Sequence, residues 1–106
     1  MAEVILTKEN FQNEVLNSDI PVLVDFWATW CAPCMMLSPV VEELAEDLAG
    51  KVKVGKVNVD EQQELAMQYR VASIPTLLLF IDRKLADSTV GFMPKNDIIA
   101  TLGLDK

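Results

Sequence analysis

The chain contains no histidine, and its only cysteines are Cys31 and Cys34. The first absence removes a Cys–His nucleophilic pair, because no imidazole is available as a general base. Two cysteines are too few for a disulfide scaffold. No glycine-rich phosphate loop or dinucleotide fingerprint occurs among the 4 glycines, so no nucleotide site is expected. The longest near-apolar run, Ile74 to Ile81, is far shorter than the roughly 18 residues a membrane span needs. The first ten residues, MAEVILTKEN, lack the basic start and long apolar segment of a secretory signal. Positive charge is scarce as well: 9 basic against 16 acidic residues leave a net charge of −7, which disfavours nucleic acid and anionic membranes as partners. These features together lead to an expectation of a cytoplasmic protein and a monomer. An organelle interior, reached after removal of a transit peptide, stays open.

What is present suits a small folded unit. A length of 106 residues fits one domain spanning the whole chain, 1–106, and 51% apolar residues can supply a core without staples. The segments alternate between strand and helix character. A short strand is expected near Val4 to Leu6, then a helix from Lys8 to about Leu16 with Thr7 as N-cap and Phe11 and Val15 on its inner face. The run PVLVDFWA, Pro21 to Ala28, reads as a strand buried on both faces. A long helix follows, from Cys31 or Ala32 to Ala49, closed by Gly50 and kinked at Pro39. KVKVGKVNV, Lys51 to Val59, alternates like a strand. Asp60 with Gln63 has the spacing of a capping box and predicts a helix to Tyr69. TLLLFI and LADSTV predict an antiparallel hairpin turning at Asp82 and Arg83, and a last helix runs from Lys95 to Leu102 ahead of Gly103. This order gives an α/β sandwich, a central sheet with helices on both faces.

The pair Cys31-Ala32-Pro33-Cys34 sits where the buried strand turns into the long helix. Residues at i and i+3 of a helix bring their β-carbons close enough for an S–S bond. A helix N-terminus carries partial positive charge and free N–H groups, and both favour thiolate at Cys31. Lowering a thiol pKa from ~8.5 to ~7 raises the ionised share at neutral pH from a few per cent to about half. Pro33 presets helical φ, so the two thiols are held together before either is oxidised. Three plainer readings compete with a reacting pair: inert core cysteines, half of a zinc site completed by a partner chain, and coincidence. The strand-end position argues against the first and third, and the lack of further ligands argues against the second. Asp25 interrupts the apolar strand and lies either at a wet strand end or in the core, where burial would raise its pKa.

Four segments in order resemble the thioredoxin family: DFWATWCAPC, GKVNVD, VASIPTLLLF and VGFMPKNDI. The resemblance spans about Phe11 to Leu102 and implies a thioredoxin fold, with a central mixed sheet of about five strands flanked by about four helices. It implies a thiol–disulfide oxidoreductase that reduces disulfides in target proteins and is re-reduced by an external thioredoxin reductase. It needs no cofactor or metal of its own. Cys31 is then the attacking thiol and Cys34 the resolving one. Asp25 becomes a buried proton acceptor for Cys34, through water, with Lys56 on the neighbouring strand as a tuning charge. Pro75 becomes a cis-proline beside the sulfurs, the alternative being an ordinary turn proline. Trp30, Ala32 and Pro33 support the site, and Trp27, Trp30, Ile74, Gly91 and Phe92 form the docking surface. Core packing remains the other reading for Trp27, and helix capping for Phe92. Ala32 stands where the family usually has glycine, and Met35 where it usually has a basic residue. The second departure should make Cys31 slightly less acidic and its surroundings more apolar. Two rival functions share these residues: a docking module whose cysteines are incidental, and an oxidant or isomerase of the same fold.

Overall fold

A computed structural model of the chain describes residues 2–105. Five strands form one mixed sheet in the order β1-β3-β2-β4-β5: β1 Val4–Ile5, β2 Val22–Trp27, β3 Lys53–Asn58, β4 Thr76–Ile81 and β5 Lys84–Val90. β1 and β2 run parallel to β3, whereas β4 lies antiparallel to both β2 and β5. The continuous apolar character of β2 follows from its central position. Val22, Val24 and Phe26 face one layer and Leu23 faces the other, so alternate side chains enter different cores.

Helices cover both faces. On one side lie α1, Ala32–Asp47, and α3, Lys95–Leu102. Leu37, Val41, Leu44, Ile98 and Leu102 from these helices pack on Leu23, Val54, Leu77 and Leu79 of the sheet. Glu42, Glu43, Glu46 and Asp47 stay exposed on the wet side of α1, as the sequence pattern requires. The opposite core takes Phe11 and Val15 from a short first helix, and Leu65 from α2, Gln63–Gln68. In that core the rings of Phe11, Tyr69 and Phe80 meet at centroid distances of 5.4 to 5.8 Å.

Several boundaries differ from expectation. The first helix is π-helical over Gln12–Leu16, with Asn17 N–H donating to Gln12 O at 2.9 Å. Thr7 is not its N-cap, since Phe11 holds that position without a side-chain bond; in the turn before it, Thr7 Oγ1 accepts from Asn10 N–H and Asn10 Oδ1 accepts from Thr7 N–H. α1 runs unbroken through Pro39 and ends at Asp47, earlier than Ala49; beyond it Ala49 N–H donates to Glu46 O, three residues back, and the amides of Lys51 and Val52 both turn to Leu48 O. Asp60 does not cap α2. Gln62 occupies that position without a side-chain bond, while Asn58 Oδ1 takes the amides of Asp60 and Glu61. The hairpin turn is Asp82-Arg83, both at positive φ, 52° and 70°, the backbone of a type I′ turn despite its poor residue chemistry.

Candidate active site

Cys31 ends the turn that leaves β2 and is the N-cap of α1, with extended backbone at φ −96° and ψ 106°. Its sulfur does what an N-cap oxygen usually does: Cys34 N–H donates to Cys31 Sγ at 3.3 Å. Ala32 and Pro33 fill the first helical positions, where proline loses no hydrogen bond. Cys31 and Cys34 are joined as a disulfide with their Cα atoms 5.2 Å apart, a normal span for such a bond. Both cysteines are buried, Cys31 at 5% exposure slightly less deeply than Cys34 at 1%.

The surroundings are apolar. Ala28 and the two cysteines form a small cluster, against which Trp27, Val59 and Ile74 pack. Ile74–Pro75 is a cis peptide bond, and Ile74 O lies 3.7 Å from Cys31 Sγ. Pro75 O accepts from Gly91 N–H at 2.8 Å, which ties the start of the last loop to the proline turn. Gly91 has φ 91°, a conformation that disfavours any side chain, and no atom lies within 4 Å of where a Cβ would stand. Phe92 follows, partly exposed. Trp30 is 69% exposed, and its indole Nε1–H donates to Asp60 Oδ2 at 2.9 Å. Met35 and Met36 on the first turn of α1 are exposed too, so the rim of the disulfide is sulfur- and aromatic-rich rather than charged.

On β2, Asp25 lies in the core, only 1% exposed, which settles the choice left open by its sequence. It pairs with Lys56 in the β2–β3 register. Burial pushes the carboxyl up to about 7; Lys56 pulls it down and Glu3 pushes it further up. Its Oδ1 is buried with no hydrogen-bond partner, and no direct hydrogen bond joins it to Cys34 among the described residues. Lys56 Nζ donates to Ser38 Oγ at 3.3 Å and stands 4.6 Å from the centre of the Trp27 ring. Trp27 therefore packs against the cysteine cluster and covers the lysine as well, in line with its core-packing reading.

Three residues of this neighbourhood escaped the sequence reading: Ser38, Asp60 and Glu3. Ser38 had a signal, since it is a polar residue one helical turn beyond Cys34 on an otherwise apolar face. Asp60 carried a misleading one, because its spacing to Gln63 mimicked a cap.

The thioredoxin family model matches residues 2–103. The chain belongs to the thioredoxin family. It is 55% identical to thioredoxin of Chlorobaculum thiosulfatiphilum over 92 residues, covering 87% of this chain and 85% of that protein. It is 52% identical to thioredoxin 1 of Nostoc sp. (strain PCC 7120 / SAG 25.82 / UTEX 2576) over 97 residues, covering 92% and 91%. Thioredoxin of Rickettsia bellii (strain RML369-C) is 51% identical over 94 residues, covering 89% and 90%. The mixed five-stranded sheet with its flanking helices is the thioredoxin fold. As a member of this family with an intact cysteine pair, the protein is a thiol–disulfide oxidoreductase working by dithiol–disulfide exchange. No helix among the described residues is long and apolar enough to cross a membrane.

Proposed function

We propose that this thioredoxin reduces disulfides in target proteins of the cytoplasm as a monomer, with Cys31 attacking and Cys34 resolving. The Cys31 thiolate attacks one sulfur of a target disulfide, forming a mixed disulfide and expelling the other target sulfur as a thiolate. Cys34 then loses its proton to Asp25, through a water, and attacks Cys31 Sγ. The Cys31–Cys34 disulfide forms and the second target sulfur leaves reduced. Two electrons have passed to the target, and an external thioredoxin reductase returns them to the pair.

The observation that carries this reading is the N-cap position of the Cys31 sulfur. An amide already aims at it, at the positive end of a helix, and that arrangement favours charge on this sulfur over its neighbour. Cys34 is more deeply buried, as suits a thiol that acts only within the mixed disulfide. The orphaned Asp25 Oδ1 supplies a lone pair for the proton of Cys34. The backbone of Ile74, in front of the cis-proline, can pair with an extended target segment. Gly91, Phe92, Trp27 and Trp30 supply the rest of the docking face, and Lys56 tunes Asp25.

A disulfide-reduction assay on a protein substrate tests the roles. Cys31→Ser should abolish turnover, and Cys34→Ser should accumulate a mixed disulfide through Cys31. Turnover that survives Cys31→Ser, or an adduct that forms through Cys34 instead, would sink the assignment.

A further inference from the structure

Glu3 has no part in the exchange described above, yet it lies on the same face of the sheet as Asp25. β1, β3 and β2 are neighbours in that order. Lys56 on β3 pairs with Asp25 on one side and with Ile5 on the other. Side chains two residues apart share a face, so Glu3 projects to the side of Lys56 and Asp25. α1 covers this face, and its Ser38 Oγ accepts from Lys56 Nζ. Glu3 Oε2, like Asp25 Oδ1, is buried with no hydrogen-bond partner. Among the described residues no ion pair within 4 Å joins Lys56 to either carboxylate. One ammonium is therefore flanked by two carboxyls and closes on neither.

Few other charges act here. Glu42, on the exposed side of α1 one turn beyond Ser38, pushes Glu3 up, and the charge of the amino terminus pulls it down. β4 places only Leu77 opposite Asp25. The Cys34 sulfur stands at the N-terminal end of α1. An open groove of about 300 Å³, lined by Ile5, Trp27 and Lys56 among others, gives the lysine its access to solvent.

We propose that Glu3 is a positioning residue for the exchange reaction: its carboxylate competes with Asp25 for the charge of Lys56 and thereby tunes Asp25 as proton acceptor of Cys34. The inference rests on the Asp25 role given above. Burial raises Glu3, with Lys56 opposing, and the charge of Glu3 in turn raises Asp25. With Glu3 neutralised, the field of Lys56 falls on Asp25 alone and the acceptor loses its proton at lower pH.

Carbon-13 NMR of the Asp25 carboxyl in the oxidised protein reads this directly. Glu3→Gln should move the Asp25 midpoint to lower pH by roughly half a unit, the scale of one partly screened charge. Glu3→Asp should restore part of the shift, and Glu3→Ala should repeat the Gln result. The acid limb of the Cys34 resolution rate should move in the same direction. An unmoved midpoint in folded Glu3→Gln or Glu3→Ala overturns the proposal. The NMR signal does not depend on thiol chemistry, so a midpoint that moves while the resolution rate does not overturns Asp25 as acceptor and leaves the coupling in place.

Discussion

Asp25 is a buried carboxyl whose environment ties stability to pH. Its folded pKa of about 7 stands well above the 3.8 of an unperturbed aspartate. The folded state thus holds this proton more tightly than the unfolded chain, and the stabilisation is complete below about pH 4. It is lost as pH rises towards 7, at most on the order of 4 kcal/mol across that window. Urea unfolding of the oxidised protein at pH 5 and pH 8 should show wild type weaker at the higher pH, whereas Asp25→Asn should flatten the difference and be the more stable of the two at pH 8. The same variant should fold normally and turn over dithiol more slowly. Unchanged turnover from pH 6 to 9 would dispose of the acceptor role. Met35 offers a simpler test at Cys31. Replacing it by lysine places a positive charge on the first turn of α1, so ultraviolet titration of reduced Met35→Lys should show the Cys31 thiolate forming at lower pH than in wild type. Coincident curves would show that the charge missing at this position has no effect on the thiol.

Among the elements, the sheet shows what could be read in the sequence and what could not. β2 was legible because a strand buried on both faces has no polar side to show, and the β4–β5 hairpin because two strand-like runs flank two residues. The cysteine pair was legible because it sits between such a strand and an amphipathic helix. The π-helical turn over Gln12–Leu16 was not, since it buries Phe11 and Val15 at the same i, i+4 spacing an α-helix would use. The false cap at Asp60 arose because a three-residue spacing says nothing about a tryptophan thirty residues earlier. Nor did any local pattern mark Glu3, whose burial depends on which strand lies beside β3. The contact between β1 and β3 turns on Gly55. A Cβ there would meet the Leu6 side chain, with its Cγ at 2.8 Å and Cδ1 nearer still. Gly55→Ala should cost about 1–3 kcal/mol in chemical unfolding, the usual penalty for overpacking, and loosen β1 before the rest of the sheet. Hydrogen exchange that quickens at Leu6, whose amide donates to Lys56 O, would localise the damage, while uniform exchange would contradict it.

Over the whole molecule, a net charge of −7 surrounds an uncharged rim of Trp30, Met35, Met36 and Phe92. Long-range attraction should therefore sort partners before the apolar rim engages them. Reduction of a basic disulfide protein should slow between low and physiological ionic strength, and reduction of an acidic one should quicken. Equal salt dependence for the two would show that encounter is blind to the field. Specificity need not come from any change of shape. The amide of Cys34 already points at Cys31 Sγ while the disulfide is closed, so opening that bond leaves the donor where a negative sulfur needs it. Charged and discharged forms should then present almost one silhouette to the outside. A protein that delivers electrons and a protein that collects them would find the same doorway, and would tell full from empty only by the sulfur itself.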